Sequence, residues 1–107
     1  MRILIADDLQ SKIQKLMAVL VGSCHVQRAE IEVAHNANDA RRFLQTTFFD
    51  LFIMDIVLPR RSEDVPARES SLELLQEIVE DEAGIKPAHI LGLTAYPEEA
   101  LAAGVGK

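Results

Sequence analysis

Short uninterrupted apolar runs alternate along this chain with stretches whose apolar residues recur at helical spacing, a pattern that admits little besides a parallel sheet of strand–helix units. Ile3–Ala6 is apolar throughout, as a strand covered on both faces must be. Leu9, Ile13, Leu16, Met17 and Leu20 then mark one face of a helix that Gly22 is placed to end. Ile31–Ala34 reads as a second strand, and Glu32 within it suits a sheet edge. Asn36 or Asn38 can cap the next helix, which carries Ala40, Phe43 and Leu44. Leu51–Asp55 is the third strand, and a helix capped by Ser70 or Ser71 follows, with Leu72, Leu75, Ile78 and Val79 as its apolar face. The charged stretch 60–70 between them is expected to be a mobile loop. Residues 89–96 read as a fourth strand, and Pro97 opens a short helix that Gly104 closes.

Composition narrows the functional classes. A chain of 107 residues with 49% hydrophobic residues suffices for one core, against a usual domain of about 150 residues. Eleven Lys and Arg against 17 Asp and Glu give a net charge of −6, which argues against nucleic acid or an anionic membrane as partner. Cys24 is the single cysteine, so no internal disulfide can form. No basic–apolar leader opens the sequence, and no uncharged apolar run reaches about 18 residues, so a cytoplasmic protein is expected.

In sheets of this kind ligands sit outside the carboxyl ends of the strands, near the point where strand order reverses. The first run ends in Asp7 and Asp8, the third in Asp55 and the fourth in Thr94, so three carboxylates and a hydroxyl are expected on one rim. Asp55 is the most informative of them, because apolar residues 51–54 precede it and 56–58 follow. A charge inside such a run costs several kcal/mol unless it is paired or metal-bound. Crowded carboxylates raise one another's pKa, and a divalent cation that prefers oxygen, Mg²⁺ above others, relieves their repulsion. Taken singly, Asp8 suits a helix N-cap, Asp7 a solvated strand end and Thr94 a strand or turn residue. The set says more than its members.

The segments MRILIADD (1–8), LFIMDIVLP (51–59) and HILGLTAY (89–96) resemble, in order, the three signature segments of response-regulator receiver domains of two-component signalling. The likeness spans nearly the whole chain. It implies a flavodoxin-like, doubly wound parallel sheet of strand order 2-1-3-4, with the fifth strand–helix unit of receivers absent and residues 1–107 forming a single receiver-like domain, incomplete at its C-terminal side. It implies Asp55 as phospho-acceptor, Thr94 as switch hydroxyl, and Mg²⁺ held by Asp7, Asp8, Asp55 and the backbone carbonyl of Val57. The implied donor is a sensor histidine kinase or a phosphotransfer protein in a cytoplasmic phosphorelay, and the domain would catalyse only its own phosphorylation and dephosphorylation. The chemistry is coherent. A carboxylate can attack a phosphoryl group while a cation neutralises the equatorial oxygens, and the aspartyl phosphate can then draw in Thr94 and shift the population towards an active surface.

The sequence departs from that pattern in three places. Receivers carry a Lys at the end of the fifth strand, and Lys107 follows Gly104 too closely for a strand to intervene. Arg60 or Arg61 could supply the charge, although two exposed loop arginines are the simpler expectation. Ser71 stands where the family commonly has Gly, after a long loop, and Tyr96 stands two residues past Thr94, where its ring would shield the site. His25, His35 and His89 are scattered without metal-ligand spacing and are read as structural or solvated. Without a fifth strand, residues 89–96 would leave an open apolar edge, so a cover from a partner, a second copy or missing sequence is expected, with a homodimer the preferred form.

Three other readings compete. A mononucleotide binder needs a Gly, Ser or Thr loop after the first strand, where Asp7 and Asp8 would repel phosphate. A haloacid-dehalogenase-like phosphatase wants a second acid two residues after the first, and Leu9 stands there. The stronger alternative is a receiver-like protein-interaction module that works without phosphorylation.

Overall fold

A computed structural model of the chain describes residues 1–61, 64–65, 67–80 and 85–93. Four strands, β1 (Ile3–Ala6), β2 (Ile31–Ala34), β3 (Leu51–Asp55) and β4 (His89–Leu93), form one all-parallel sheet in the order β2-β1-β3-β4. Among the described residues, α1 (Gln10–Gly22), α2 (Ala37–Thr46) and α3 (Arg68–Glu80) connect them, and a 3₁₀ turn, Arg28–Glu30, leads into β2. None of these helices is long and apolar enough to cross a membrane.

Burial follows strand position. All four residues of central β1 are buried, whereas β2, with Glu32, lies at a sheet edge and is buried only at its ends. Alternate residues feed two separate cores, as the pleat requires. Ile3 and Ile5 of β1, Ile31 of β2 and Ile53 of β3 meet Ile13 and Leu20 of α1 on one face. Leu4, Ala6, Ala34, Phe52 and Met54 meet Ala40 and Leu44 of α2 and Leu74 of α3 on the other. Helices therefore cover both faces. The chain steps from β1 to β2 on one side and returns to β3 on the other, so strand order reverses between β1 and β3.

Several local expectations are corrected. Neither Asp8 nor any other side chain caps α1: Leu9 is its N-cap, half exposed and outside the helix, and its backbone N–H is taken by the Asp7 side chain instead. At the other end Gly22 is the last helical residue, but the reversal falls three residues later, on His25, whose φ is 58°. Val26 N–H then reaches back to the Leu20 carbonyl at 3.0 Å. A β-carbon in that left-handed conformation costs about 1 kcal/mol that glycine avoids, partly offset by glycine's greater unfolded-state entropy. His25→Gly is expected to raise stability by up to about 0.5 kcal/mol, read as a higher thermal midpoint; a lower midpoint would mean that the imidazole makes contacts worth more than its backbone costs.

Between the two asparagines, Asn36 is the cap of α2: its Oδ1 accepts the Asp39 N–H at 2.8 Å, and its Nδ2 donates to the Asp39 carboxylate at 3.0 Å. The Asn38 side chain instead accepts from Arg41. Helix α3 begins at Arg68, so Ser70 and Ser71 are not caps but buried residues of its first turns. Its covered face is Ser70, Ser71, Leu74, Leu75 and Ile78, while Leu72 and Val79 are exposed. The entry to the loop expected to be mobile is tied down. Pro59 and Arg60 carbonyls accept from Ala37 and Asn38 at 2.8 and 3.0 Å, filling two of the unsatisfied donors at the start of α2, and Leu58 pairs with Ala67. Residues 94–96 of the expected fourth strand, and the helix from Pro97 to Gly104, lie outside the described residues.

Candidate functional site

Asp7 and Asp55 arrive at the carboxyl rim by the same local route. Each stands at the end of a strand whose preceding residues, Ala6 and Met54, are register partners, so the two aspartates are neighbours where strand order reverses. The pleat sends Ala6 and Met54 to the α2–α3 core, so the side chains one residue later fall on the α1 face. Each aspartate also closes a short turn with the residue two positions on: Asp7 Oδ1 accepts from Leu9 N–H at 3.0 Å and Asp55 Oδ1 from Val57 N–H at 3.1 Å. These bonds hold both carboxylates over the rim although Asp7 is only 1% and Asp55 only 5% exposed. Half-buried Asp8 completes the cluster, and one carboxylate oxygen from each of the three lies within 4.8 Å of the others.

Among the described residues one cation answers these three acids. Lys12, in the first turn of α1, brings Nζ to 3.1 Å from Asp7 Oδ2 and 3.6 Å from Asp55 Oδ1. The side chain is 17% exposed, yet Nζ itself is buried and makes no hydrogen bond of acceptable geometry. Three carboxylates facing one ammonium leave the site short of positive charge. Burial pushes the Asp55 carboxyl above its ordinary value, and Asp7 and Asp8 push the same way; the Val57 N–H and Lys12 offset only part of this. Sequence reasoning missed Lys12, although a signal was present. It lies beside Ile13 and four residues before Leu16, both of which pack on the sheet, so it projects from the inward side of the helix.

Val57 sits beside Asp55 through its N–H, with its side chain 38% exposed. Leu93 pairs with Asp55 in the sheet, and its carbonyl accepts from Ile56 at 2.9 Å, so β4 ends at the same rim. Thr94, the expected switch hydroxyl, and Tyr96 lie outside the described residues. Arg60 and Arg61 point to other acids, Arg60 to Glu73 at 2.8 Å and Arg61 to Asp64 at 3.5 Å. Neither supplies the cation of the site. No histidine joins a metal-ligating group among the described residues, and His25, His35 and His89 are all exposed.

Ser71 is the second residue whose role was not legible. Its hydroxyl donates to the Asp55 carbonyl at 3.0 Å and accepts the Leu58 N–H at 3.1 Å, both buried, so α3 is clamped to the end of β3 and to the turn that follows. An all-oxygen donor set of this density suits a hard divalent cation such as Mg²⁺, which takes one or two carboxylates and keeps several waters. Asp7, Asp8 and Asp55 are the residues able to hold it.

Comparison with known proteins adds a relative without a described activity. No family model matches the sequence, and no solved structure matches it. The chain is 39% identical over 103 residues to the uncharacterized protein y4jS of Sinorhizobium fredii, a match that takes in 96% of this chain. That stretch is 24% of y4jS, so the chain spans about a quarter of the length of the curated relative it matches.

Proposed function

We propose that this chain is a phospho-accepting receiver domain of flavodoxin-like fold, in which Asp55 takes a phosphoryl group and Asp7 and Asp8 hold Mg²⁺ beside it. The observation that carries the reading is the convergence of Asp7, Asp8 and Asp55 within 4.8 Å at the rim where strand order reverses. A carboxylate oxygen of Asp55 attacks phosphorus in line with the leaving group; when the donor is a phosphohistidine, the P–N bond breaks and the electron pair and a proton end on the imidazole. The product on Asp55 is an acyl phosphate. Bound Mg²⁺ supplies neutralisation of the charge on the transferring oxygens. The Val57 N–H keeps the acceptor carboxylate turned to the rim, and the clamp from Ser71 fixes the strand end behind it. The donor class is a sensor histidine kinase or a phosphotransfer protein.

Acetyl phosphate with Mg²⁺, followed by intact-mass measurement, tests the reading. One phosphoryl group should be taken up, uptake should require Mg²⁺, and Asp55→Asn should abolish it. Uptake by Asp55→Asn at the wild-type rate would remove Asp55 from the role. A second reading, an interaction module that works without phosphorylation, draws support from Lys12, whose ammonium already answers the acids. No uptake by a folded wild-type protein at saturating Mg²⁺ and donor would decide for it.

A further inference from the structure

The carboxylates that would hold a divalent cation are not waiting in open solvent. Lys12 Nζ lies between two of them, 3.1 Å from Asp7 and 3.6 Å from Asp55. A divalent ion needs oxygen ligands at about 2.0–2.1 Å, so an ion on Asp7 and Asp55 would lie against the ammonium, cation to cation. The two cannot share the place. Nor is the lysine held as a permanent structural pair would be. Nζ is buried but makes no hydrogen bond of acceptable geometry, so its three donors are held by charge alone. Its stem is 17% exposed, which leaves a route along the rim by which a flexible four-carbon chain can lift its head into water. Among the described residues Lys12 is the cation that pairs with these acids, while Arg60, Arg61 and the amino terminus pair with Glu73, Asp64 and Glu30.

We propose that Lys12 is a built-in counter-cation that occupies the acidic site until a divalent cation displaces it, and that it thereby sets how weakly the site binds that cation. The proposal rests on the reading of Asp7, Asp8 and Asp55 as a divalent-cation site. It assigns Lys12 two states: in the first its ammonium is buried against Asp7 and Asp55; in the second, with the ion on those oxygens, it is exposed at the rim. Lys12 here is a positioning residue that sets ion occupancy through the carboxylates.

Two measurements on the full chain test this. Isothermal titration with Mg²⁺ and Mn²⁺ compares the wild type with Lys12→Met and Lys12→Arg. Removing the like charge should tighten binding by about tenfold or more, while Lys12→Arg, which keeps the charge, should stay within about threefold of the wild type. The second measurement needs no variant. In the wild type, acylation of Lys12 by an amine reagent, read by peptide mass spectrometry, should be slow without the ion and several-fold faster at saturating Mg²⁺, while Lys15 changes little. Equal affinities for the wild type and Lys12→Met, or Lys12 acylation indifferent to a bound ion, would overturn the role of Lys12 and leave the cation site standing. Absence of binding by the wild type and both variants at tens of millimolar Mg²⁺ would overturn the site and the lysine's role together.

Discussion

Without divalent cation, Asp55→Asn is expected to be more stable than the wild type at neutral pH, and the difference should shrink as the pH is lowered. Asn keeps the shape of the side chain and the oxygen that accepts from Val57 N–H. What it removes is one of three crowded negative charges, which among the described residues face a single ammonium. Relief of that repulsion in a partly screened site is worth on the order of 1 kcal/mol. The pH dependence has a definite sign. The folded carboxyl of Asp55 lies above the ordinary value of 3.8, so the folded chain binds a proton at a pH where the unfolded chain has released it. Stability from this group is therefore fully present below 3.8 and is lost as the pH rises through the raised folded value. Above that value the ionised group is a net cost, and Asn is spared it. Because every other titrating group is common to both proteins, the difference in their urea midpoints isolates position 55. If the acids hold Mg²⁺ as proposed, added Mg²⁺ should reverse the order, since the wild type would gain binding energy that the variant, with one ligand oxygen altered, gains less of. A stability difference that does not vary between neutral pH and pH 4 would show that the charge on Asp55 is already balanced.

The strands were legible because nothing in their sequence competes with the reading. Ile3–Ala6, Ile31–Ala34 and Leu51–Asp55 are observed with the expected bounds, and Glu32 does mark an edge strand. The convergence of Asp7, Asp8 and Asp55 was also readable, since strand-end position follows from run length and parallel order alone. What was not readable needed a third dimension. The place of Lys12 beside Ile13 and four residues before Leu16 marks it as inward-facing, but only the approach of α1 to the rim turns it towards Asp7. In α3 the apolar residues 72, 74, 75, 78 and 79 outline two overlapping faces, and hydrophobicity favours the one with Leu72 and Val79. The sheet selects the other, which carries Ser70 and Ser71, because small side chains let the start of the helix come close to the end of β3. A rule that ranks leucine above serine for burial fails where the buried surface is backbone that wants hydrogen bonds.

Ser71→Ala tests that account and should be among the most damaging conservative changes near the site. The hydroxyl, 1% exposed, serves two buried backbone groups at once, the Leu58 N–H and the Asp55 carbonyl. Removing it leaves both unpaired or dependent on water that must be drawn in, at about 1–3 kcal/mol, against which alanine's better helix propensity returns only about 0.5 kcal/mol. The urea midpoint should fall with little change in slope, as for a native-state loss that leaves the unfolded chain alone. Glycine at this position separates the two causes of the loss. It also lacks the hydroxyl, and it adds about 1 kcal/mol of helix cost, but it opens space in which a water can bridge the same donor and acceptor. If a water restores the hydrogen bonds, Ser71→Gly should lie clearly less than that helix cost of about 1 kcal/mol below Ser71→Ala, and a gap of the full cost would mean that it does not. Both variants loosen the turn that carries Val57, so the proposed phosphoryl uptake should slow even at temperatures where the protein is fully folded. An alanine variant as stable as the wild type, with uptake unchanged, would mean that Leu58 and Asp55 satisfy their backbone groups elsewhere and that the serine is only a filler of small volume.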